Sequence, residues 1–310
     1  MEADDPARGR VPLDRDRVGR ALAAAGCPGP VRVVARTDST QQRARLAAAG
    51  GVEEGWAILA EEQVSGRGRS GRGWWAPPRS AVLASMLWRP DRPPHRFPEL
   101  SLVAGVAVAA ALRDVGVLGV TLKWPNDCLL GGRKLAGILL EVVPGGPAPV
   151  PSALVVGVGC NVDTRAGEWP PELAGIATSC ARPGARLDRT ALAAAILCRL
   201  WLGYRRWLRD GSGWARAAWH DLDPSPGRRV VVQSPKGPVE GVILGLDPGG
   251  RLRLLTDRGE RVLAVGEVHT LRPAVGIGSG PSALGTPQVI DDTTGGAYDG
   301  EVARGACWRA

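Results

Sequence analysis

Between residues 65 and 75 the chain reads Ser65-Gly66-Arg67-Gly68-Arg69-Ser70-Gly71-Arg72-Gly73-Trp74-Trp75, three arginines interleaved with four glycines and closed by two tryptophans. Glycine keeps the backbone thin and tolerates positive φ, so such a run can wrap closely around a ligand. Arginine adds a planar, permanently charged fork that matches carboxylate and phosphate oxygens. A tryptophan behind it offers a flat face for a ring. The chemistry suggested is enclosure of an anion that carries a heterocycle, such as a nucleotide. Gly66-x-Gly68-x-x-Gly71 has the spacing of a dinucleotide fingerprint, but that motif needs a helix to start inside it. Here Trp74-Trp75-Ala76-Pro77-Pro78 follows, which cannot propagate a helix. A solvated arginine-rich loop, or one that grips a nucleic-acid strand, has the same composition.

The other candidate polar groups are Ser39, Thr40 and Gln41; Gln63; Lys123, Asn126 and Asp127 within Lys123-Trp124-Pro125-Asn126-Asp127; Lys134; and Asn161. Each has a plainer reading. Ser39 and Thr40 suit a helix cap, Asn126-Asp127 suits a turn, Lys134 suits protection of an edge strand, and Asn161 ends a strand. Histidine is nearly absent: His95, His220 and His269 lie outside these motifs and read as surface or packing residues. That disfavours a Ser-His-Asp triad and histidine acid–base work. Cationic forks, a lysine and amides without histidine suit acyl-adenylate chemistry. A carboxylate is already ionised at neutral pH and needs no base to attack the α-phosphate of ATP. Its obstacle is the meeting of two anions, which positive charge and alignment remove. Mg²⁺ would shield the triphosphate with a few oxygens, drawn from Asn126, Asp127 or Asn161.

The elements that must position these groups follow from periodicity and punctuation. A lead over residues 1–12 precedes a short helix at 14–25, ended by Gly26 and Pro28. Strand-like Val31–Val34 runs into Thr37-Asp38-Ser39-Thr40 and a helix from Gln41 to Ala49. Trp56–Ala60 and Ala81–Trp88 are buried strands on either side of the glycine–arginine loop. A long apolar helix from Pro98 to Val115, a strand at 120–124, a hairpin around Gly131-Gly132 and a strand at 153–158 follow. Residues 188–209 form an amphipathic helix with Leu192, Ile196, Leu200 and Trp207 at helical spacing. Composition shifts at Asp223-Pro224-Ser225-Pro226. Beyond it, strand-like runs at 229–233, 239–246, 252–255 and 261–265 alternate with Pro-Lys-Gly, Asp-Pro-Gly-Gly and Asp-Arg-Gly turns, the size of an SH3-like barrel. From 274 to 310 periodicity vanishes and a flexible tail is expected.

The 310 residues carry a formal charge of +8 and 44% hydrophobic residues, which fits a globular protein whose basic excess suits phosphate-bearing ligands or an acidic partner. Six scattered cysteines lack C-x-x-C spacing, so neither structural zinc nor a disulfide framework is expected. The apolar run from Leu100 to Leu112 is too short to span a bilayer. A cytoplasmic protein without membrane attachment is the expectation.

Four motifs occur in order: Gln63-x-x-Gly66-Arg67-Gly68-Arg69-x-Gly71-Arg72-x-Trp74, Lys123-Trp124-Pro125-Asn126-Asp127, Lys134-x-x-Gly137-Ile138-Leu139-x-Glu141 and Gly157-x-Gly159-x-Asn161. Together they resemble the biotin protein ligase family, biotin–[acetyl-CoA-carboxylase] ligases, from about residue 31 to 272. The resemblance implies an α+β fold: a class II synthetase-like mixed sheet flanked by helices over 31–222 and an SH3-like barrel over 223–273. It implies formation of biotinyl-5′-AMP from biotin and ATP with Mg²⁺. Transfer of biotin to a lysine of a biotin carboxyl carrier protein then follows.

By matched position, the resemblance puts Ser39, Thr40, Gln41, Gln63, Arg67, Gly68, Arg69, Lys134 and Gly137 around biotin. Arg67, Arg69, Arg72, Trp74, Asn126, Lys134 and Asn161 fall to ATP, with Trp74 on the adenine side. Lys134, Arg69, Asp127 and Lys123 fall to catalysis, and Asn126 and Asn161 to Mg²⁺. The family commonly has asparagine where this chain has Gln41. Bifunctional members carry an N-terminal DNA-binding domain; about thirty residues precede the catalytic region here, so DNA binding is not expected. A lipoate or octanoate ligase of the same fold is the nearest alternative, and a nucleic-acid-binding module the alternative of another class.

Overall fold

The computed structural model describes residues 9–144, 153–181, 187–264 and 266–270. In chain order these form α1 (Arg15–Ala24), β1 (Val31–Val34), α2 (Thr40–Ala49), β2 (Ala57–Ala60), β3 (Ala81–Trp88), α3 (Glu99–Asp114), β4 (Val120–Lys123), β5 (Asp127–Leu130), β6 (Arg133–Val143) and β7 (Ala153–Asn161). There follow α4 (Pro171–Ala174), α5 (Arg189–Asp210), α6 (Gly213–Leu222), β8 (Arg229–Ser234), β9 (Gly237–Leu246), β10 (Leu252–Thr256), β11 (Gly259–Leu263) and β12 (Glu267–Thr270).

The first seven strands make a mixed sheet in the order β1-β2-β3-β7-β6-β5-β4, with β1 parallel to β2 and every other pair antiparallel. Successive side chains of a strand face opposite sides, and β7 shows what this does. Leu154, Val156, Val158 and Cys160 join the core that includes α3 and α5, whereas Ala153 and Val155 pack with Ala44 and Ala48 of α2. Beyond Val155, the α2 side of β7 continues as Gly157, Gly159 and Asn161. Gly137 on β6 is paired with Gly159. The sheet face next to α2 therefore starts as packed core and ends as bare backbone, the place where a strand admits something lying close against it.

The other face is closed by α3, almost wholly buried, and by α5, whose N-terminus is capped by Asp188 through the Ala191 N–H at 3.0 Å. Periodicity gives no helix at 213–222, yet α6 forms there. Its Trp219 ring lies against Gly105 of α3, where a Cβ would come within 2.4 Å of it. The lead is tied down from Arg10 onward. Buried Arg10 meets Asp163 and Glu168, and the Leu13 N–H donates to Glu61 Oε1 at 2.6 Å. Glu61 also forms a buried ion pair with Arg189 of α5.

The C-terminal strands form an antiparallel sheet in the order β11-β10-β9-β8-β12. The three expected turns are present, each with its glycine at positive φ: Gly237, Gly250 and Gly259. The β12 strand was not foreseen. Its partner β8 supplies Val230 and Val232 to the same core as α3, and Trp124 Nε1 donates to Gly250 O at 3.0 Å, so the two sheets are packed together. The expected tail at 274–310 and Cys307 lie outside the described residues. The five other cysteines are free thiols, and no three metal-binding side chains cluster among the described residues. No helix among the described residues is long and apolar enough to cross a membrane.

Candidate active site

Every candidate site residue assigned to biotin, ATP, catalysis or Mg²⁺ from the sequence lines one cavity of about 550 Å³ over the glycine end of the sheet. At one end lie the groups around α2. Ser39 occupies the N-cap position of α2 in extended conformation, but its hydroxyl caps nothing. The first N–H of the helix, from Thr40, is bound instead by Gln63 Oε1 at 2.7 Å, with Thr40 Oγ1 at 3.0 Å from the same oxygen. Ser39 Oγ is buried without a hydrogen-bond partner among the described residues. A polar atom in that state fits a site completed by a ligand. Gln41 is buried and its amide nitrogen is bound to the Val155 and Leu139 carbonyls of β7 and β6, so this side chain is committed to the sheet.

The glycine–arginine loop crosses the cavity. It closes on itself through Gly68 N to Arg72 O at 2.7 Å and Trp74 N to Gly66 O at 2.9 Å. Gly66 is dictated by this approach, since a Cβ there would lie 2.4 Å from Trp74 O. Trp74, placed on the adenine side by the resemblance, lies over the paired Gly137 and Gly159. Lys134 Nζ is 5.7 Å from its ring centroid. The half-buried Arg69 donates to Asn126 Oδ1 at 3.2 Å. Burial pushes its guanidinium below its ordinary pKa, and Asp127 pulls it back up. Arg72 reaches Glu267 of β12 at 2.5 Å. Burial alone would raise Glu267, but Arg72, backed by His269 and Lys123, holds it below the usual carboxylate range.

Lys134 opens β6, an interior strand, which rules out edge protection as its reason to be there. Its N–H donates to Ile176 O at 2.8 Å and its carbonyl accepts from Thr178 N at 2.9 Å. Its ammonium sits 2.8 Å from Asp127 Oδ1, with the lysine side chain 38% and the aspartate 22% exposed. A cation so placed is held in position yet open to an arriving anion. Asn126 stands in the turn before β5 and donates to Ile138 O at 2.8 Å. Asn161 donates to Thr178 O at 3.0 Å, while its own buried Oδ1 lacks a partner among the described residues. The cavity thus has hydroxyls and an amide at one end, cations at the other, and a glycine floor between them.

This arrangement matches known proteins. Residues 33–161 match the Biotin/lipoate A/B protein ligase family, and residues 227–269 match the Biotin protein ligase C terminal domain. The chain is 37% identical over 276 residues to the biotin–[acetyl-CoA-carboxylase] ligase of Mycobacterium tuberculosis, covering 86% of this chain and 99% of that relative. It belongs to the biotin protein ligase family. A second member, the biotin–[acetyl-CoA-carboxylase] ligase of Paracoccus denitrificans, is 34% identical over 250 residues, covering 76% of this chain and 98% of its own length. The solved biotin protein ligase of Aquifex aeolicus, in complex with biotin and ATP, superposes with a TM-score of 0.67 at 27% identity. The match covers 78% of this chain and 99% of that one.

Several lining residues of this biotin protein ligase family member carry no sequence signal. His269 and Glu267 come to the cavity from β12, Trp169 packs against Trp75 at 5.9 Å between centroids, and Ser85 lies below Thr40 on β3. His269, read as a surface or packing residue, therefore faces the site. The pairing of β12 with β8 brings in His269 and Glu267, and that of β3 with β7 brings in Ser85.

Proposed function

We propose that this chain activates biotin as biotinyl-5′-AMP with ATP and passes the biotinyl group to a lysine of a biotin carboxyl carrier protein. The observation that carries the reading is the single cavity with hydrogen-bonding groups at one end and Lys134, Arg69 and Lys123 at the other. The ring of biotin would lie against Ser39, Thr40 and Gln63, its tail along Gly137 and Gly68, and its carboxylate at Lys134. Gln41 shapes the floor rather than touching the ligand. The carboxylate oxygen attacks the α-phosphorus, and the bond to the bridging oxygen breaks as pyrophosphate leaves. Lys134 and Arg69 offset the repulsion between the anions and hold them in line. Arg67 and Arg72 would close over the phosphates, Arg72 leaving Glu267 to do so. Trp74 packs beside Lys134.

In the second half-reaction the carrier lysine amine attacks the acyl carbon, AMP leaves, and the nitrogen loses a proton as the amide forms. Asp127, already 2.8 Å from one ammonium, is the carboxylate positioned to orient another. Mg²⁺ fits here as an ion carried by the triphosphate, which keeps most of its ligands from phosphate and water. Asn126 Oδ1 is engaged by Arg69, so Asn161 is the better of the two expected protein ligands. When bound, the ion supplies charge neutralisation of the phosphates.

The functional division into 31–222 and 223–273, a carboxylase subunit as the carrier and a cytoplasmic setting belong to the same reading. Arg69 turns inward to Asn126 and Arg72 is paired with Glu267, so neither is a free cation for a nucleic-acid strand, which argues against a nucleic-acid surface. The test is incubation of the full chain with ATP, Mg²⁺ and a carrier domain, with biotin or lipoate in parallel. An amide-linked biotin on the carrier is expected; modification by lipoate alone would refute the reading.

A further inference from the structure

Arg10 belongs to the lead before α1 and does not line the cavity, yet its side chain is only 2% exposed. A guanidinium buried so deeply must be matched by its partners. Its Nη2 donates to the Asp163 carbonyl at 2.6 Å and to the two Glu168 oxygens at 2.8 and 2.6 Å. Its Nε reaches Asp163 Oδ2 and its Nη1 reaches Pro78 O, both at 3.4 Å. These partners sit on two separate loops. Pro78 lies in the turn by which the glycine–arginine loop leaves for β3, just past Trp75; Glu168 immediately precedes Trp169. Trp75 and Trp169 both line the cavity and meet with 5.9 Å between ring centroids. The roots of the two loops are also joined by backbone, since the Val162 and Asp163 N–H groups donate to Ser80 O at 2.9 and 2.8 Å. Between Pro78 and Ser80, Arg79 holds a φ of 58°, a left-handed conformation that costs any residue with a Cβ. Such a turn keeps its shape because its surroundings impose it.

We infer that Arg10 is a positioning residue for the nucleotide: it pins the roots of both loops and so fixes where Trp75 and Trp169 stand in the cavity wall. Arg72 and Trp74 just before Trp75, and Asn161 at the start of the second loop, are the residues assigned to ATP, so this wall belongs to the nucleotide end. Arg10 itself touches no substrate. The hydroxyl end is held by contacts that bypass it, the Thr37 N–H to Glu62 O at 3.1 Å and the Ser65 N–H to Asp38 O at 2.9 Å. Loss of Arg10 therefore loosens one end of the cavity and leaves the other in place. This inference rests on the cavity being the site of biotin adenylation.

The test compares the full chain with its Arg10→Gln variant in two measurements: biotin-dependent pyrophosphate release at varied ATP, and equilibrium binding of biotin without ATP. The Arg10→Gln variant should lose roughly 10- to 100-fold in kcat/KM for ATP, the scale of a wall displaced by about 1 Å, and lose it through KM. Biotin binding should not change. The Asp163 and Glu168 side chains are 39% and 25% exposed, so water can solvate them once the arginine is gone and the variant should fold. Arg10→Lys keeps the charge without the fork and should recover part of the loss. A lower kcat with KM for ATP unmoved, the mark of a smaller folded fraction, overturns the inference. So does equal weakening of biotin and ATP, or wild-type kinetics in Arg10→Gln. Should Arg10→Gln fail to fold, Glu168→Ala cuts the tie to the second loop alone and should raise KM for ATP by a smaller factor; an unmoved KM there overturns the inference too. A folded wild type that releases no pyrophosphate with biotin removes the functional reading itself, an outcome distinct from an active wild type with unresponsive variants.

Discussion

Alanine at Gly159 tests whether the bare glycine floor is functional. A Cβ there would lie 2.4 Å from Trp74 Cε2, 2.6 Å from Cδ2 and 2.8 Å from Cζ2. Carbon atoms rest at about 3.5–4.0 Å, so the indole must lift by roughly 1 Å. Gly159 does not sit at positive φ, so the backbone tolerates alanine and the strain falls on the ring. Overpacking of this kind costs about 1–3 kcal/mol. If the cavity bears all of it, kcat/KM for biotin falls by about 5- to 150-fold at 1.4 kcal/mol per decade. Gly137→Ala meets Trp74 Cζ3 at 3.0 Å and Lys134 Cε at 3.1 Å, a milder clash that should cost less. Steady-state kinetics on both variants, with thermal unfolding alongside, provide the assay. Gly159→Ala with kcat/KM within about twofold of wild type would refute the reasoning, since overpacking this close cannot be free.

Lys134→Ala should slow adenylation by roughly 10²–10³-fold, the usual loss on removing one preorganised charge donor. Stability should change by less than about 1 kcal/mol, because the Asp127 pair is solvent-exposed on the lysine side; an unfolded variant would instead mark Lys134 as structural. Glu61→Ala strips the buried Arg189 of its partner and frees the Leu13 N–H, so chemical denaturation should show a loss of about 3–5 kcal/mol. A loss under about 1 kcal/mol would contradict that burial. Burial would raise Glu99, but hydrogen bonds from Arg96, Trp207 and Ser212 hold it below its ordinary value. Its folded pKa is thus depressed, so its stabilisation is complete above the unfolded value of about 4.3 and disappears as pH falls through the lower folded value. Glu99→Gln should flatten the acid limb of the stability–pH curve, and identical limbs would exclude the role.

The polar residues that converge here were legible because they sit at strand ends and turns, where glycine, proline and amide clusters punctuate the chain. Gln63 illustrates the limit. Its place beside the loop was evident, but its capping of α2 through the Thr40 N–H joins residues 23 positions apart and depends on β1 and β2 being parallel. Glu267 and His269 were invisible for a stronger reason: β12 reaches the cavity only because the C-terminal sheet packs on Trp124 and α3. Gln41 stood out by type alone. Its commitment to the Val155 and Leu139 carbonyls could be read only once β6 and β7 were in register.

Exchange of labelled pyrophosphate into ATP, run without carrier protein, isolates the step on which everything else depends. Exchange should require biotin, proceed with the full chain alone, and collapse in Lys134→Ala while the variant stays folded. Exchange that ignores biotin, or survives loss of the lysine at full rate, would contradict the claim that charge and alignment in this cavity join the carboxylate to AMP.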